Sequence, residues 1–155
     1  MTEVRTDFDQ IIDQHKELRT MMKDLKDYLR QPRPEIGQDG FHTWAFGLTE
    51  RLTRFHDKLF RHFREEDRSG FLEEMELEHP RATHIISALR KDHDRILCDI
   101  RAILTATLAY GEGKQPENPA LRKWTQSVLD QLARHETEET ELLQKVHLED
   151  LGCGD

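Results

Sequence analysis

The residues of this chain most able to do chemistry belong to two copies of one pattern. Segments 59–66 and 132–139 both read L-x-R-H-x-x-E-E, and the copies lie 73 positions apart. Upstream, segments 14–18 and 92–96 echo each other at a spacing of 78, and each contains one histidine, His15 or His93. The chain is therefore two copies of a helix pair, with a lone histidine on the first helix and H-x-x-x-E on the second.

The two copies together supply a candidate ligand set for two metal ions. Imidazole nitrogens and carboxylate oxygens suit iron, and also manganese or zinc. Residues four apart lie about 40° round and about 6 Å along a helix, so one H-x-x-x-E pair can reach the same pair of ions. The six candidate ligands are His15, His62, Glu66, His93, His135 and Glu139.

The elements that must position these residues are four amphipathic helices. Apolar residues recur at spacings of three and four over about 8–29, 41–66, 86–107 and 121–146, and no long stretch alternates with period two. Proline and glycine break the pattern between these stretches, and a bend is expected near Gly70. We predict an all-α, antiparallel up-down-up-down four-helix bundle in residues 1–150 and a flexible C-terminal tail in residues 151–155.

The six polar residues interrupt the apolar stripes of these helices. A carboxylate buried without partners costs several kcal/mol, so a fold alone would not place two of them in a core. A bound cation gives each carboxylate a counter-charge and each imidazole an acceptor for its lone pair. The alternative is a metal-free network of histidines and glutamates, which requires every member to be hydrogen-bonded. The register of both H-x-x-x-E pairs within an internal repeat favours the metal site.

The remaining histidines fall on other faces or near helix ends. His56 lies about 240° round the helix from His62, and His84 lies on the face opposite His93. The sequence leaves open whether Glu65, Glu138 or His56 contributes to the site. The histidines expected outside the site are His42, His56, His79, His84 and His147.

Composition limits the class of protein and of partner. At 155 residues the chain suits one domain, and its net charge of −8 argues against a nucleic-acid or membrane-surface partner. No apolar run approaches the roughly 20 residues that span a bilayer, and the first residues lack a signal-peptide core. Cys98 and Cys153 form no C-x-x-C motif. A cytoplasmic location is the default expectation.

The six residues resemble the pattern of the hemerythrin-like family, in its His-His-Glu cation-binding version. The resemblance covers about residues 5–148, with a lone histidine on the first and third helices and H-x-x-x-E on the second and fourth. It implies a non-haem centre of two iron ions (Fe2+/Fe3+) with an oxo or hydroxo bridge. In such a centre the two carboxylates bridge the ions and the histidines are terminal ligands. Manganese or zinc could substitute for iron.

The chain departs from the oxygen-carrier branch of that family at two places. The third helix of that branch carries H-x-x-x-H, but Leu97 follows His93 at i+4. Its last helix reads H-x-x-x-x-D, whereas Glu139 follows His135 at i+4 and Thr140 follows it at i+5. The fifth histidine is absent, so the resemblance implies an open position on each ion in a more symmetric site.

Three classes of function follow as expectations. The leading one is a binding module, a cytosolic di-iron protein that reversibly binds or senses O2, or responds to NO or redox state. The second is an enzyme that reduces peroxide or NO, or oxidises ferrous iron, and the third is an iron-handling protein. A protein partner is compatible with the sequence, which does not identify one. The sequence argues against a ferritin-like di-iron centre, which needs the motif E-x-x-H twice. The one instance here, Glu76 to His79, directly precedes Pro80 and therefore lies in a connection between helices.

Overall fold

Four long helices and one short helix make up most of the chain in this computed structural model. The structure describes residues 2–32, 34–35, 37–68, 70–112 and 120–152, and within them the side chains of residues 9–146 except 71 and 120. The helices are α1 (Thr2–Arg30), α2 (Phe41–Arg68), α3 (Phe71–Glu78), α4 (Thr83–Gly111) and α5 (Ala120–Gly152). The predicted all-α class is confirmed.

The apolar stripe of each long helix explains how polar side chains enter the core. On α2 the stripe runs through Leu48, Leu52, Phe55 and Leu59, all of which are buried. The next positions on the same face are three and four residues further along. His62 therefore enters the core as the direct continuation of an apolar face, and it is 3% exposed.

The long helices pack in a ring in which α1 and α4 each contact both α2 and α5. Ion pairs give the relative direction of α1 and α2. Lys58 lies 2.6 Å from Glu17, and Arg51 lies 3.3 Å from Asp24, each measured from a side-chain nitrogen to a carboxylate oxygen. The contacts fall in opposite order along the two helices, so α1 runs against α2. The complete up-down-up-down order of the bundle stays a prediction.

The predicted connection between the second and third long helices is itself largely helical. It contains α3 and then a 3-10 turn, Pro80–Ala82. Gly70, with φ of 71°, lies in the left-handed region that glycine tolerates and separates α2 from α3. Leu72 and Met75 of α3 are buried. The short helix therefore covers one end of the core.

At the C-terminal end α5 extends to Gly152, two residues beyond the predicted limit of the bundle. Of the predicted flexible tail, residues 151–155, the first two belong to α5 and the last three lie outside the described residues, so the tail and the domain limit at residue 150 stay predictions. Over the described part of the chain, no helix combines the length and apolar character that a membrane crossing requires.

Two apolar clusters form the core, one on each side of the six predicted ligands. The larger cluster spans the ends of α1, α2, α4 and α5 that are distant from α3, and the smaller cluster contains the buried side of α3. Members of the larger cluster include Leu18, Phe55, Leu59, Phe63, Ile96 and Leu132. Members of the smaller cluster include Ile11, Leu72, Met75, Ile86, Leu89 and Leu142.

Candidate metal centre

All six predicted ligands meet in one buried polar layer between the two apolar clusters. None of them is more than 3% exposed. α1 contributes His15 and α4 contributes His93, while α2 and α5 each contribute a histidine and a glutamate four residues apart. The internal repeat of the sequence thus becomes an approximate twofold arrangement of side chains.

Glu66 lies between the two pairs of histidines. Its Oε1 atom is 2.6 Å from Nε2 of His62 and 3.9 Å from Nε2 of His15. Its Oε2 atom is 3.2 Å from Nε2 of His93. One carboxylate therefore presents one oxygen to each side of the layer.

Glu139 repeats this arrangement from α5. Its Oε1 atom is 3.2 Å from Nε2 of His15, and its Oε2 atom is 3.2 Å from Nε2 of His135. The ligand atoms form two groups, and within each group all the atoms lie within 4.8 Å of one another. One group is His15, His62, Glu66 and Glu139, here named the His15/His62 position, and the other is His93, His135 and Glu139, here named the His93/His135 position.

Side chains around the layer fix the orientation of the imidazoles. Nδ1 of His62 lies 2.5 Å from Oε1 of Gln14. The Gln14 amide nitrogen donates to Glu65, so its oxygen is the atom left to accept from the histidine. The Nδ1 atom of His62 therefore carries the proton, and its Nε2 lone pair points at the carboxylates.

The same relation recurs in the second copy of the repeat. Nδ1 of His135 donates to Oδ2 of Asp92 at 3.3 Å. Gln14 and Asp92 each directly precede the lone histidine of their copy. The echo between these two segments is visible in the sequence and marks the positions of Gln14 and Asp92. Their role as partners of the histidines is not visible there, because it depends on contacts between helices.

The residue after each of the two glutamates lies close to the lone histidine of the other copy of the repeat. Thr140, directly after Glu139, lies 3.3 Å from Nδ1 of His15. Asp67, directly after Glu66, has Oδ1 3.6 Å from Nδ1 of His93, which is too long for a direct hydrogen bond. Thr140 stands where the oxygen-carrier pattern has a carboxylate, and here it orients a histidine.

The electrostatics of the layer show a demand for positive charge. Burial lowers the pKa of His15, but the carboxylates of Glu139 and Glu66 outweigh burial and raise that pKa to about 9. Burial and the charge of Glu139 raise the pKa of Glu66 well above its usual value. Burial lowers the pKa of His93 to about 3. The proton on His15 thus supplies positive charge to the layer when no metal is bound.

The donor set fits metal cations better than a closed hydrogen-bond network. Among the residues that the structure describes, the Nε2 atoms of the four histidines have no hydrogen-bond partner, and neither do the carboxylate oxygens of Glu139. In their neutral forms, with the proton on Nδ1, His62 and His135 each turn an Nε2 lone pair toward a carboxylate oxygen, so acceptor faces acceptor. A cation between these atoms resolves that repulsion and satisfies both groups.

The other candidates lie outside the polar layer. His56 contacts Asp57 and Arg101 through its ring nitrogens, and His42 and His84 are exposed. Glu65 is exposed and accepts a hydrogen bond from Gln14, which in turn contacts His62. Glu138 is exposed, and His147 falls among the side chains that the structure does not describe.

Comparison with known proteins supplies the family. The sequence model of the hemerythrin HHE cation binding domain matches residues 6–146, which is nearly the whole chain. This chain belongs to the hemerythrin HHE cation-binding family. The predicted resemblance is confirmed, and with it a His/Glu cation-binding site in a helical bundle. The comparisons with curated proteins and with solved structures find no match for this hemerythrin-like chain.

Proposed function

We propose that this hemerythrin-like chain is a non-haem di-iron protein that binds or senses a small ligand such as O2 or NO. The six residues of the polar layer are its metal ligands in this proposal. The observation that carries it is the position of Glu66 and Glu139, each of which presents one oxygen to either pair of histidines. Two bridging carboxylates and four terminal imidazoles are a ligand set for two adjacent cations.

Iron is the metal that this ligand set and the family favour, with manganese or zinc as substitutes. Two adjacent iron ions would supply two one-electron couples in one buried site. The chain's own contribution is to hold the ligands in place and to exclude water. Gln14, Thr140 and Asp92 orient three of the imidazoles through Nδ1.

The packing around the layer favours a ligand of a few atoms. The ring of Phe63 stacks on that of His93, with centroids 4.0 Å apart, and meets the edge of His135 at 5.6 Å. The rings of His15 and His62 are 5.0 Å apart. Such close walls suit O2, NO or peroxide and disfavour a bulky organic substrate. Tyr28 lies in the wall between α1 and α2, where it donates to the Trp44 carbonyl, and not beside the ligands.

The alternative function is that of an enzyme, which would use the same centre to reduce peroxide or NO. A third candidate function is iron handling. A cytosolic location and an unidentified protein partner belong to the same proposal. The deciding experiment loads metal-free protein with Fe2+ under anaerobic conditions, measures iron by elemental analysis and then admits O2. About two irons per chain are expected, with a visible absorption change that reverses when O2 is removed.

A matched pair of variants makes this experiment specific. Glu66→Ala should lose most of the bound iron, whereas His84→Ala, which removes an exposed histidine, should keep it. Well under one metal ion per wild-type chain would refute the di-iron centre. An irreversible reaction with turnover would favour the enzyme, and rapid loss of iron to a mild chelator would favour the iron-handling role.

A further inference from the structure

Glu136 is a buried carboxylate that is not among the six predicted ligands. It directly follows His135 on α5 and is 4% exposed. Neither of its carboxylate oxygens has a hydrogen-bond partner among the residues that the structure describes. A carboxylate in such surroundings costs several kcal/mol unless a positive charge compensates it. Its position therefore needs a cation nearby.

Charge interactions relate Glu136 to one part of the layer. Burial raises its pKa, and the charges of His15 and then His62 act against that rise. Arg19, the next cation, is exposed on α1, and no ion pair joins it to Glu136 within the described residues. Glu136 lies outside the group of atoms within 4.8 Å of one another that defines the His15/His62 position. Its relation to that position is therefore a charge interaction and not a direct contact, and Glu136 would have to approach an ion bound there.

The internal repeat gives an independent argument. Glu136 and Phe63 are counterparts, because each directly follows the histidine of its L-x-R-H segment. Phe63 packs its ring against His93 and His135. The approximate twofold arrangement places its counterpart, Glu136, toward the opposite pair of histidines, and its charge interactions with His15 and His62 agree with that. The repeat therefore covers one metal position with an aromatic ring and presents a carboxylate to the other.

The groups beside the Nδ1 atoms of the histidines also differ in charge between the two positions, although Asp67 makes no hydrogen bond to His93. Those of the His15/His62 position are neutral, whereas those of the His93/His135 position are carboxylates. They are Thr140 and Gln14 at the first position and Asp67 and Asp92 at the second. A third carboxylate at the first position would balance the two acidic partners at the second.

We propose that Glu136 is the third carboxylate of the centre and binds the ion at the His15/His62 position, which makes the two ions chemically different. This inference rests on the proposed function, because it requires two bound cations. Two divalent ions bring four positive charges, of which Glu66 and Glu139 offset two. Glu136 offsets one more and adds a ligand to one ion.

The test compares Glu136→Gln with Glu138→Gln, which removes the same charge from an exposed position on the same helix. Metal-free protein is titrated with Co2+, whose visible absorption reports its coordination. Wild type and Glu138→Gln should bind two ions with distinct spectra. Glu136→Gln should lose about tenfold or more in affinity for one ion and change the spectrum of that ion alone.

Each outcome bears on a different statement. If Glu136→Gln binds both Co2+ ions as wild type does, Glu136 is no ligand and the inference is overturned while the di-iron proposal stands. If wild type binds no metal, both the inference about Glu136 and the di-iron proposal are refuted. Should Glu136→Gln not fold, the Mössbauer spectrum of wild type loaded with 57Fe2+ decides. Two unequal iron signals support the inference, and a single signal from identical ions overturns it.

Discussion

At the residue scale, protons and metal ions compete for the same lone pairs. The pKa of His15 rises to about 9 because Glu139 and Glu66 outweigh the effect of burial. That value exceeds the ordinary 6.5, so the contact stabilises the metal-free fold fully below pH 6.5 and its contribution disappears as the pH rises through 9. His93, with a pKa of about 3, is neutral throughout that range.

A pH dependence of metal binding follows. At pH 7 an incoming cation must displace the proton on His15, so the apparent affinity should rise about tenfold per pH unit up to about pH 9. Calorimetry in two buffers of different ionisation enthalpy should find at least about one proton released for each chain loaded at pH 7. His15→Gln should release less than wild type. Binding without proton release would show that His15 is neutral in the metal-free chain.

The six ligands could be predicted because each departs from an apolar stripe in a repeated register. Glu136 could not be predicted in this way. It belongs to the acidic run Glu136, Glu138 and Glu139, in which Glu138 is exposed and the other two are buried. The spacing of α5 does place Glu136 on the buried face, four residues after Leu132 and three before Glu139. The repeat did not mark Glu136, because its counterpart in the first copy is Phe63. The roles of Gln14 and Asp92 depend on contacts between helices.

At the element scale, the alignment of α1 and α2 sets the distance between His15 and His62. Near the other end of this pair, Tyr28 donates to the Trp44 carbonyl at 2.6 Å and stacks on the Trp44 ring. Its hydroxyl also lies where a side chain at Gly47 would stand, 2.5 Å from the position of an added Cβ atom. The absence of a side chain at Gly47 lets the two helices approach.

Gly47→Ala should therefore destabilise the protein. In an ordinary helix interior this change gains about 1 kcal/mol, but here overpacking against Tyr28 should cost about 1–3 kcal/mol. The measurement is the midpoint and slope of urea unfolding. In a Tyr28→Phe background, which removes the clashing hydroxyl, the same change should cost less. A gain in stability on Gly47→Ala would show that Tyr28 does not hold α1 against α2.

The four long helices could be predicted from the sequence, and the short helix α3 could not. Each long helix has several turns of apolar stripe, and all four were predicted. α3 was not, because its buried face rests on Leu72 and Met75, too short a pattern to separate a helix from a connection. Its helical state depends on packing against the smaller cluster, which forms only when α1, α4 and α5 come together.

At the scale of the whole molecule, the polar layer divides the core. The larger cluster joins all four long helices, whereas the smaller cluster depends on α3 and the adjacent ends of α1, α4 and α5. Without metal, imidazole nitrogens and carboxylate oxygens of the layer lie 2.6–3.9 Å apart, and only protons such as the one on His15 offset the repulsion between them. The layer then stabilises the smaller cluster less than it does with metal bound. Bound cations would join the four helices across the layer.

Metal removal should consequently loosen one end of the molecule before the other. A cation at a thousand times its dissociation constant stabilises the state that binds it by about 4 kcal/mol, so amide exchange at the smaller cluster should accelerate by up to about a thousandfold on chelation. Hydrogen exchange followed by mass spectrometry should show this in residues 72–89 and 139–146. Residues 48–59 and 96–103, within the larger cluster, serve as the internal control and should change less. Equal acceleration in both regions would mean that the core opens as one unit and that the polar layer does not divide it.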